Sequence, residues 1–162
     1  MLKTLTPQQA LLLIAAVAFA TIAGAWIFEY FDFPPCELCL KQRYAYYAAI
    51  PLAAVLASIA PGQPQAARVG LYALALIWLA SMVFGIWHSG IEWKWWQGPT
   101  SCTGVGELSA LPDLSKPVAM CDQPALRIFG LSLAGWNAVI SLGLAIVAIR
   151  ATRVYGSSSV SQ

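Results

Sequence analysis

Four long apolar stretches without Asp, Glu, Lys, Arg or His constrain this chain more than any other sequence feature. They cover about residues 10–28, 44–60, 69–87 and 128–149. Each runs for about 17–22 residues, close to the roughly 20 that a helix needs to cross the hydrocarbon core of a bilayer. Only helices and closed barrels satisfy the backbone hydrogen bonds inside lipid. We therefore expect an all-α fold, an integral membrane four-helix bundle that forms one domain over residues 1–162.

The topology follows from the span count, because four spans place alternate connections on opposite sides. The connections 29–43 and 88–127 share one side, and the connection 61–68 shares the other side with both termini. Lysine and arginine number four on the side of the termini and five on the other, so the positive-inside rule gives only a weak signal. All four cysteines lie in 29–43 and 88–127, and disulfides persist outside the cytosol. We expect these two connections to lie outside and both termini to be cytoplasmic.

The first apolar stretch has a second interpretation. Lys3, the apolar run and Ala23-Gly24-Ala25 also fit a secretory signal peptide with a small-residue cleavage site. The run continues through Trp26-Ile27-Phe28, however, and is long enough to span a bilayer. We favour a retained span, and both cysteine-bearing connections stay outside under either interpretation.

A tryptophan-rich segment lies early in the long third connection. Trp93, Trp95 and Trp96 follow Glu92 and alternate with a lysine. Aromatic rings interleaved with charges are typical of a segment that lies in the headgroup region of a membrane. We expect a short interfacial segment here, which would steady the cysteine-bearing part of the same connection near the membrane surface.

Cys36 and Cys39 form a CxxC motif directly after Pro34-Pro35. A ring closed over two residues constrains the unfolded chain very little, so such a disulfide adds little stability. CxxC pairs are typical of disulfides that are made and broken, with one thiol of lowered pKa. Cys39 lies near the expected start of the second span, where the partial positive charge of a helix N-terminus favours a thiolate. We favour a redox role over an inert structural pair or a metal site.

Cys102 and Cys121 are less distinctive by themselves. A bridge between them would close a loop of about twenty residues, worth about 3 kcal/mol as a structural staple. A zinc site shared with the CxxC motif would require tighter spacing than this second pair offers. Their location on the same side as the CxxC motif favours a second redox pair. The Gly-, Ser- and Thr-rich surroundings of Cys102 predict an exposed sulfur.

Two further side chains near these cysteines are candidates for the site. Arg43 lies four residues after Cys39, on the same helix face one turn later, where its cation would favour a thiolate. The alternative for Arg43 is a basic residue that snorkels at the end of a span. His88 is the only histidine, which excludes a bis-histidine haem within one chain, and a lone histidine is usually structural. The absence of ionisable residues from the four apolar stretches argues against an ion pump.

Several of these features together resemble the DsbB family. They are four spans, the motif P-C-x-L-C-x-x-x-R at Pro35–Arg43, two cysteines in a long third connection and F-G-L-S-L-A-G-W at Phe129–Trp136. The resemblance covers about Ala10–Ala148. Members are thiol:quinone oxidoreductases of the bacterial inner membrane that recharge the periplasmic oxidant DsbA. The resemblance therefore implies an inner-membrane enzyme, a DsbA-like partner, and ubiquinone or menaquinone as the electron acceptor.

The resemblance also implies a role for each cysteine. Cys36 and Cys39 match the quinone-proximal pair, with Cys39 as the thiolate that touches the quinone. Arg43 matches the arginine of the quinone site. Cys102 matches the cysteine that the partner attacks, and Cys121 matches its resolving mate.

His88 is a further candidate for the quinone site. Its surroundings, Trp87–Glu92, are like one branch of the family and unlike its best-known member. The same divergence leaves room for a specialised member that serves one dedicated partner.

Two alternatives to the DsbB resemblance remain open. A vitamin K epoxide reductase-like protein is also a four-span, quinone-coupled thiol carrier, but its quinone-side CxxC would precede or end a late span. Here the motif lies between the first two spans, which favours DsbB. The second alternative is a non-enzymatic membrane scaffold stapled by two stable disulfides. Retained quinone, or cysteines trapped in mixed disulfides, would distinguish an enzyme from such a scaffold.

Overall fold

The computed structural model describes residues 5–99, 102 and 120–158, and this part of the chain is dominated by four long helices. The elements are α1 (Pro7–Tyr30), α2 (Glu37–Ile59), α3 (Pro64–Glu92), β1 (Arg127–Ile128), β2 (Leu131–Ser132) and α4 (Leu133–Ser158). The two strands pair with each other as a small antiparallel hairpin. The expected all-α four-helix architecture is confirmed.

The first helix begins before its apolar stretch because its N-terminus is capped by polar side chains. Thr6 Oγ1 accepts a hydrogen bond from the backbone N–H of Gln9 at 3.2 Å. The Gln9 side chain accepts one in return from the backbone N–H of Thr6 at 3.0 Å, completing a capping box. Pro7 occupies the first helical position, where a missing N–H costs nothing.

The helices pack around an interior built mainly from small side chains, which we call the bundle core. Its centre is Trp78, which is fully buried and meets the Tyr46 ring edge-on at a centroid distance of 5.0 Å. Gly85 marks the closest approach of α3 to α4, because a Cβ atom there would lie 3.0 Å from Ala134 O and Ala138 N. Small residues are what allow helices to approach this closely within a membrane. Other buried members are Leu11, Ile14, Ala18, Ala49, Ala53, Ala67, Leu71, Leu74 and Ala145.

The outward faces of the bundle are apolar. Large exposed hydrophobic side chains occur on every helix, namely Leu12, Phe19, Val55, Leu76, Val83 and Ile146 among others. Apolar patches of this extent mark a surface that contacts something other than water. Three helices are long and apolar enough to cross a membrane: α1, α3 and the Leu133–Arg153 part of α4. The chain is therefore a multi-pass membrane protein.

The second helix differs from the other three. The 44–60 stretch lies almost entirely within α2, but α2 is not among the helices apolar enough to be counted as a span. Its first turns carry Lys41 and Arg43, and three tyrosines follow, which lowers the mean hydropathy. With 23 residues the helix is about 35 Å long at 1.5 Å per residue. It packs against both α1 and α3 within the bundle.

The last predicted span begins later than the sequence suggested. We expected helix from residue 128, but Arg127–Ser132 forms the hairpin, and the helix starts only at Leu133. Phe129 and Gly130 have φ angles of 51° and 83°, which fits the tight two-residue turn of a β-hairpin. Trp136 Nε1 of the first turn of α4 donates to Ile128 O at 3.0 Å and fixes the hairpin to the helix.

Two helices extend beyond the charge-free stretches into the expected connections. Helix α2 begins at Glu37, so Cys39 and Arg43 belong to its first two turns and not to a loop. Helix α3 continues to Glu92, so His88 is helical as well. The absence of charge marks the part of a helix that lipid covers, whereas capping and packing decide where the helix ends.

The tryptophan-rich segment forms a turn directly after α3. Trp93 and Trp95 are 47% and 66% exposed, and their rings meet edge-on. Trp96 Nε1 donates to Trp87 O at 2.9 Å. This hydrogen bond folds the segment back onto the end of α3, so the exposed rings lie at one end of the bundle.

Candidate functional site

The four cysteines form two disulfides that lie together at one end of the bundle. Cys36 pairs with Cys39 and Cys102 pairs with Cys121, with Cα–Cα distances of 5.0 and 5.1 Å. Three of these cysteines pack with two apolar side chains in one buried group, which we call the loop-end cluster. Its members are Cys36, Leu38, Ile91, Cys102 and Cys121, with Cys39, Phe84 and Trp87 packed against them. The fold therefore brings the CxxC pair and the distant pair into one site.

Cys36, rather than Cys39, caps the second helix. Its Sγ accepts a hydrogen bond from the backbone N–H of Cys39 at 3.1 Å. Cys39 is the third residue of α2, within the turn where the helix dipole favours negative charge. The sequence suggested this environment for Cys39 alone, but the helix start at Glu37 gives it to both sulfurs. A thiolate on either cysteine would be stabilised here.

The second disulfide is more enclosed than the sequence suggested. Cys102 is 4% exposed and Cys121 is 1% exposed, so the expectation of an exposed Cys102 sulfur is wrong. Its Sγ packs into the loop-end cluster and lies 4.0 Å from Glu37 Oε2. The backbone N–H of Cys121 donates to Cys102 O at 3.1 Å. Residues 100–101 and 103–119, which flank Cys102 in the sequence, lie outside the described residues.

Arg43 forms an ion pair that the sequence did not reveal. Its Nη1 lies 2.8 Å from Glu29 Oε2 near the end of α1, and the arginine side chain is only 11% exposed. Arg43 is also one of the residues that line a cavity beside Cys39. The ion pair holds the guanidinium in place at the junction of α1 and α2, with donors left over for a further acceptor.

Two cavities meet at the Cys36–Cys39 disulfide. The first, which we call the membrane-side cavity, has a volume of about 320 Å³ and lies between α1, α2 and α4. Its walls are mostly apolar, as in many small-molecule sites, with a few polar groups among them. Its lining includes Phe28, Cys39, Arg43, Tyr46, Trp136 and Asn137.

The second cavity also borders this disulfide and is called the loop-side cavity. Its volume is about 280 Å³, and both Cys36 and Cys39 line it. The carboxyl-bearing Asp32 and Glu92 contribute to its walls, together with chain segments that follow Cys121. Of these two cavities, Cys39 lines both, whereas Cys36 lines only the loop-side cavity.

His88 lies behind the CxxC pair. Its Nε2 is 3.7 Å from Cys36 Sγ, and its Nδ1 is 2.9 Å from Gln42 Nε2. It also contacts the backbone of Cys121, so it lies between the two disulfides. Within the described part of the chain, His88 does not line the membrane-side cavity. Its role at a quinone site stays a prediction, and its observed neighbours are sulfur, amide and carboxyl groups.

Three possible metal-binding atoms also meet at this point. The sulfurs of Cys36 and Cys39 and one ring nitrogen of His88 lie within 4.8 Å of one another. Metal ions bind thiolates, and both sulfurs are joined in a disulfide here. While this disulfide is intact, the two sulfurs are not available as thiolate ligands.

A buried polar network extends from the membrane-side cavity into the bundle core. Tyr46 donates to Asn137 Oδ1 at 2.6 Å, and Ser141 donates to Ser81 Oγ at 3.0 Å. Asn137 Nδ2 also lies 3.4 Å from Ser81 O. This network was not recognised from the sequence, because each of its polar residues stands alone in an apolar stretch. The i, i+4 spacing of Asn137 and Ser141 was the available signal.

Comparison with known proteins places the site in a family context. The profile described as "Disulfide bond formation protein DsbB" matches residues 7–151. A "Disulfide bond formation protein B" of Burkholderia thailandensis is 28% identical over 156 residues, covering 90% of this chain and 88% of the relative. One of Burkholderia pseudomallei is 29% identical over 150 residues, covering 86% and 85%.

A relative without an assigned function matches as well. The "Uncharacterized protein RP370" of Rickettsia prowazekii is 24% identical over 144 residues, covering 83% of this chain and 81% of the relative. No solved structure matches the chain significantly. The two disulfides, the helix cap and the two cavities thus occur in a chain whose similarity to these relatives extends over most of its length.

Proposed function

The chain belongs to the DsbB family of disulfide bond formation proteins, and from this premise we propose that it is a thiol:quinone oxidoreductase that reoxidises a periplasmic DsbA-like dithiol oxidase. The observation that carries the proposal is the position of the Cys36–Cys39 disulfide. It lies between the loop-end cluster, which contains the second disulfide, and an apolar cavity among the helices. This is the arrangement that a relay from a soluble partner to a lipid-soluble acceptor requires.

The proposed electron route begins at the second disulfide. A thiolate of the reduced partner attacks Cys102, the Cys102–Cys121 bond breaks, and a mixed disulfide forms. The second thiol of the partner then attacks the partner sulfur that is bonded to Cys102. The partner leaves with a disulfide, and Cys102 and Cys121 are left as thiols. Because Cys102 is buried in the loop-end cluster, this scheme requires Cys102 to become exposed when the partner binds.

The second transfer takes place inside the loop-end cluster. A thiolate of the reduced Cys102 and Cys121 pair attacks Cys36, the bond to Cys39 breaks, and Cys39 leaves as a thiolate. The N-terminal turn of α2 stabilises that negative charge, and Arg43 adds a cation one turn further along the helix. Attack by the other loop thiol then restores the Cys102–Cys121 disulfide and leaves Cys36 and Cys39 reduced.

The final acceptor in this proposal is membrane quinone, either ubiquinone or menaquinone. A DsbA-like oxidant has a potential of about −120 mV, so its reoxidation requires a still stronger two-electron acceptor, which quinone supplies. The membrane-side cavity suits a flat apolar ring, because Phe28 and Trp136 line it beside Cys39. Arg43 would hold a quinone oxygen through its remaining donors.

A choice of electron donor tests this route. The variant Cys102→Ala/Cys121→Ala should still reduce quinone with dithiothreitol, because a small dithiol can reduce Cys36–Cys39 directly. It should not reduce quinone with a reduced DsbA-like partner, because the pair that receives partner electrons is gone. Equal activity with the partner before and after the substitution would contradict the proposed order of the two disulfides.

Covalent trapping identifies the cysteine that meets the partner. In Cys121→Ala, Cys102 is a thiol without its resolving cysteine. It should attack the disulfide of the oxidised DsbA-like protein, release one partner thiol and hold the partner as a mixed disulfide. Peptide mapping should then find the partner on Cys102. A partner attached to Cys36 or Cys39 would show that the first transfer occurs at the CxxC motif.

We further propose that both disulfides face the periplasm of a bacterial inner membrane and that both termini are cytoplasmic. Disulfide chemistry supports the outer face, because cytosolic thiol pools would keep both pairs reduced. Spheroplasts are first treated with a reductant and with mild detergent below the concentration that lyses them, which relieves the local burial of the cysteines. A membrane-impermeant maleimide should then label the native cysteines. Gln63→Cys, at an exposed position in the connection between α2 and α3, should remain unlabelled. Labelling of Gln63→Cys alone would invert the topology.

A further inference from the structure

Glu92 is a buried carboxyl group for which the relay described above has no use. Its side chain is 5% exposed, and its Oε2 has no hydrogen-bond partner among the described residues. Burial of an unsatisfied carboxyl oxygen costs free energy, so such a group in a native site indicates a function. Glu92 also lines the loop-side cavity together with Cys36 and Cys39. The carboxyl group thus lies beside the reacting disulfide and beside a space large enough for water.

His88 connects Glu92 to the disulfide. Its Nε2 lies 3.7 Å from Cys36 Sγ and 3.9 Å from Glu92 Oε1. The two residues are four apart on α3 and therefore share one helix face. Gln42 contacts the other ring nitrogen, and its amide can rotate to offer either a donor or an acceptor. The same histidine nitrogen can therefore exchange a proton with the sulfur on one side and the carboxyl group on the other.

The groups around Glu92 leave its carboxyl free to take up and release a proton. Ser132 of β2 hydrogen-bonds it, and Arg127 of β1 is a cation on another element that interacts with its charge. Asp32, between α1 and α2, shares the cavity wall. Within the described residues, no lysine or arginine lies within 4.0 Å of the Glu92 carboxyl oxygens. Glu92 is therefore held in position without being locked in a strong ion pair.

We propose that Glu92, acting through His88, moves protons between the Cys36 thiol and the loop-side cavity. The inference rests on the proposed function, in which the reduced CxxC pair is oxidised again. Oxidation of a dithiol releases two electrons and two protons. The electron pair goes to the quinone acceptor, which takes up two protons from solvent to become the quinol. Cys39 carries no proton, because it left the disulfide as a thiolate. The proton that must be removed before the disulfide can form again is therefore the one on Cys36.

The proposed proton transfer has two steps. The Cys36 S–H bond breaks as His88 Nε2 takes the proton, which leaves a Cys36 thiolate and an imidazolium. The imidazolium then gives the proton to the Glu92 carboxylate, which releases it to water in the loop-side cavity. The Cys36 thiolate forms the new S–S bond with Cys39. In the opposite direction, the same groups deliver a proton to Cys36 when it leaves a mixed disulfide.

Burial explains why this route is required. Cys36 is 5% exposed and His88 is 1% exposed, so the sulfur has little contact with bulk water although Cys36 lines the loop-side cavity, and a positioned base takes its proton more readily than water does. Positioned acids and bases contribute about 10²–10⁴-fold to reactions limited by proton transfer. Since Glu92 acts on the sulfur only through His88, we expect its loss to cost about tenfold, less than the loss of a group that exchanges the proton directly.

The first test uses a thiol probe and no quinone. In a chain that keeps Cys36 alone, with Cys39, Cys102 and Cys121 replaced by alanine, the rate of alkylation by iodoacetamide is followed from pH 5 to 10. Glu92→Gln should move the profile toward higher pH and lower the rate at pH 7 about tenfold, because Glu92 no longer stabilises the imidazolium that His88 forms when it takes the Cys36 proton. An unchanged profile would overturn the proposal.

The matched control is Asp32→Asn, which removes the other carboxyl group on the wall of the same cavity. Within the described residues, Asp32 forms no ion pair with His88, so the Cys36 profile should stay within about twofold of the parent at each pH, well below the effect of a lost acid–base group. An equal shift in Asp32→Asn would mean that the profile reports the charge of the cavity and not proton transfer by Glu92.

The second test is chemical rescue in the chain with all four cysteines. Glu92→Ala opens additional space beside a cavity of about 280 Å³, which can admit formate. Turnover with a DsbA-like donor and quinone should fall about tenfold and recover with rising formate. A folded variant that formate does not rescue would contradict a proton-carrying role. If the unaltered protein reduces no quinone, the proposed function fails, yet the alkylation profile still decides the role of Glu92.

Discussion

The bundle core and the loop-end cluster are both buried, but they are built on different principles. The core is formed by alanine and leucine side chains around Trp78, and these side chains fit by size and shape. The loop-end cluster contains two disulfides, and His88 and Glu92 lie beside it. A residue in the bundle core contributes by the space that its side chain fills. A residue in the loop-end cluster contributes by the atoms that react or form hydrogen bonds. Substitutions should therefore separate stability from chemistry.

The boundary between the two regions is the membrane-side cavity. Cys39 and Arg43 approach it from the loop end, and Tyr46 and Asn137 approach it from the bundle core. Tyr46 also packs against Trp78, so the core reaches the wall of the proposed quinone site. This shared wall is where a core substitution has the best chance of affecting chemistry.

Removal of a CxxC sulfur should have the largest effect on activity and almost none on stability. Cys36→Ala should lower turnover with a DsbA-like donor at least about a thousandfold, as expected when a covalent nucleophile is lost. A ring closed over two residues adds little to the free energy of unfolding, and loss of the Cys36 cap on α2 should cost no more than about 1 kcal/mol. Thermal unfolding in detergent should thus change little, and a large loss of stability would contradict the separation of the two regions.

Loss of the Arg43 cation should have the next largest effect, limited to quinone use. Arg43→Ala should raise the apparent quinone KM about tenfold, equivalent to about 1.4 kcal/mol, while the rate of thiol exchange with the partner stays the same. The matched control is Lys41→Ala on the same helix, because Lys41 forms an exposed ion pair with Glu37. An unchanged quinone KM in Arg43→Ala would count against the assigned cavity.

A methyl group added at the α3–α4 contact should affect stability instead. In Gly85→Ala the new Cβ would lie 3.0 Å from backbone atoms of α4, so the helices must separate, at a cost of about 1–3 kcal/mol. The rate of thiol exchange with the partner should stay within about twofold, because the atoms nearest to the new methyl group belong to Ala134, Asn137 and Ala138 of α4 and not to a cysteine.

Gly143→Ala is the control for this substitution. Nothing lies within 4 Å of a Cβ atom at Gly143, and alanine is favoured over glycine in a helix by about 1 kcal/mol. This variant should be at least as stable as the parent. If both glycine variants destabilise the bundle equally, the contact at Gly85 is not a close one.

The helices could be predicted from the sequence because lipid leaves few alternatives. A charge-free stretch of about twenty residues has to satisfy its own backbone, and the helix is the local way to do so. The positions of the helix ends were harder to predict from the sequence. The hairpin at Arg127–Ser132 depends on the positive φ angles of Phe129 and Gly130, and hydropathy does not report backbone geometry.

Only part of the candidate site could be predicted from the sequence. The CxxC motif and the distant cysteine pair were recognisable because their spacing carries chemical meaning. The contacts of Arg43 with Glu29 and of His88 with Glu92 and Gln42 were not recognised. Two of these contacts join different helices, and their existence depends on how the helices are rotated against one another. Burial of Cys102 was missed for the same reason, since the residues that pack around it are distant from it in the sequence.

The most direct test of the account is the stoichiometry of electron transfer in the purified protein without oxygen. Reduced DsbA-like partner and ubiquinone or menaquinone are mixed with catalytic amounts of the protein, and quinone absorbance is followed together with free thiols. The account predicts that one quinone is reduced for every two partner thiols lost, and that this stops when Cys36 is replaced by alanine. Partner thiols that disappear without quinone reduction, or quinone reduction that persists in Cys36→Ala, would contradict it.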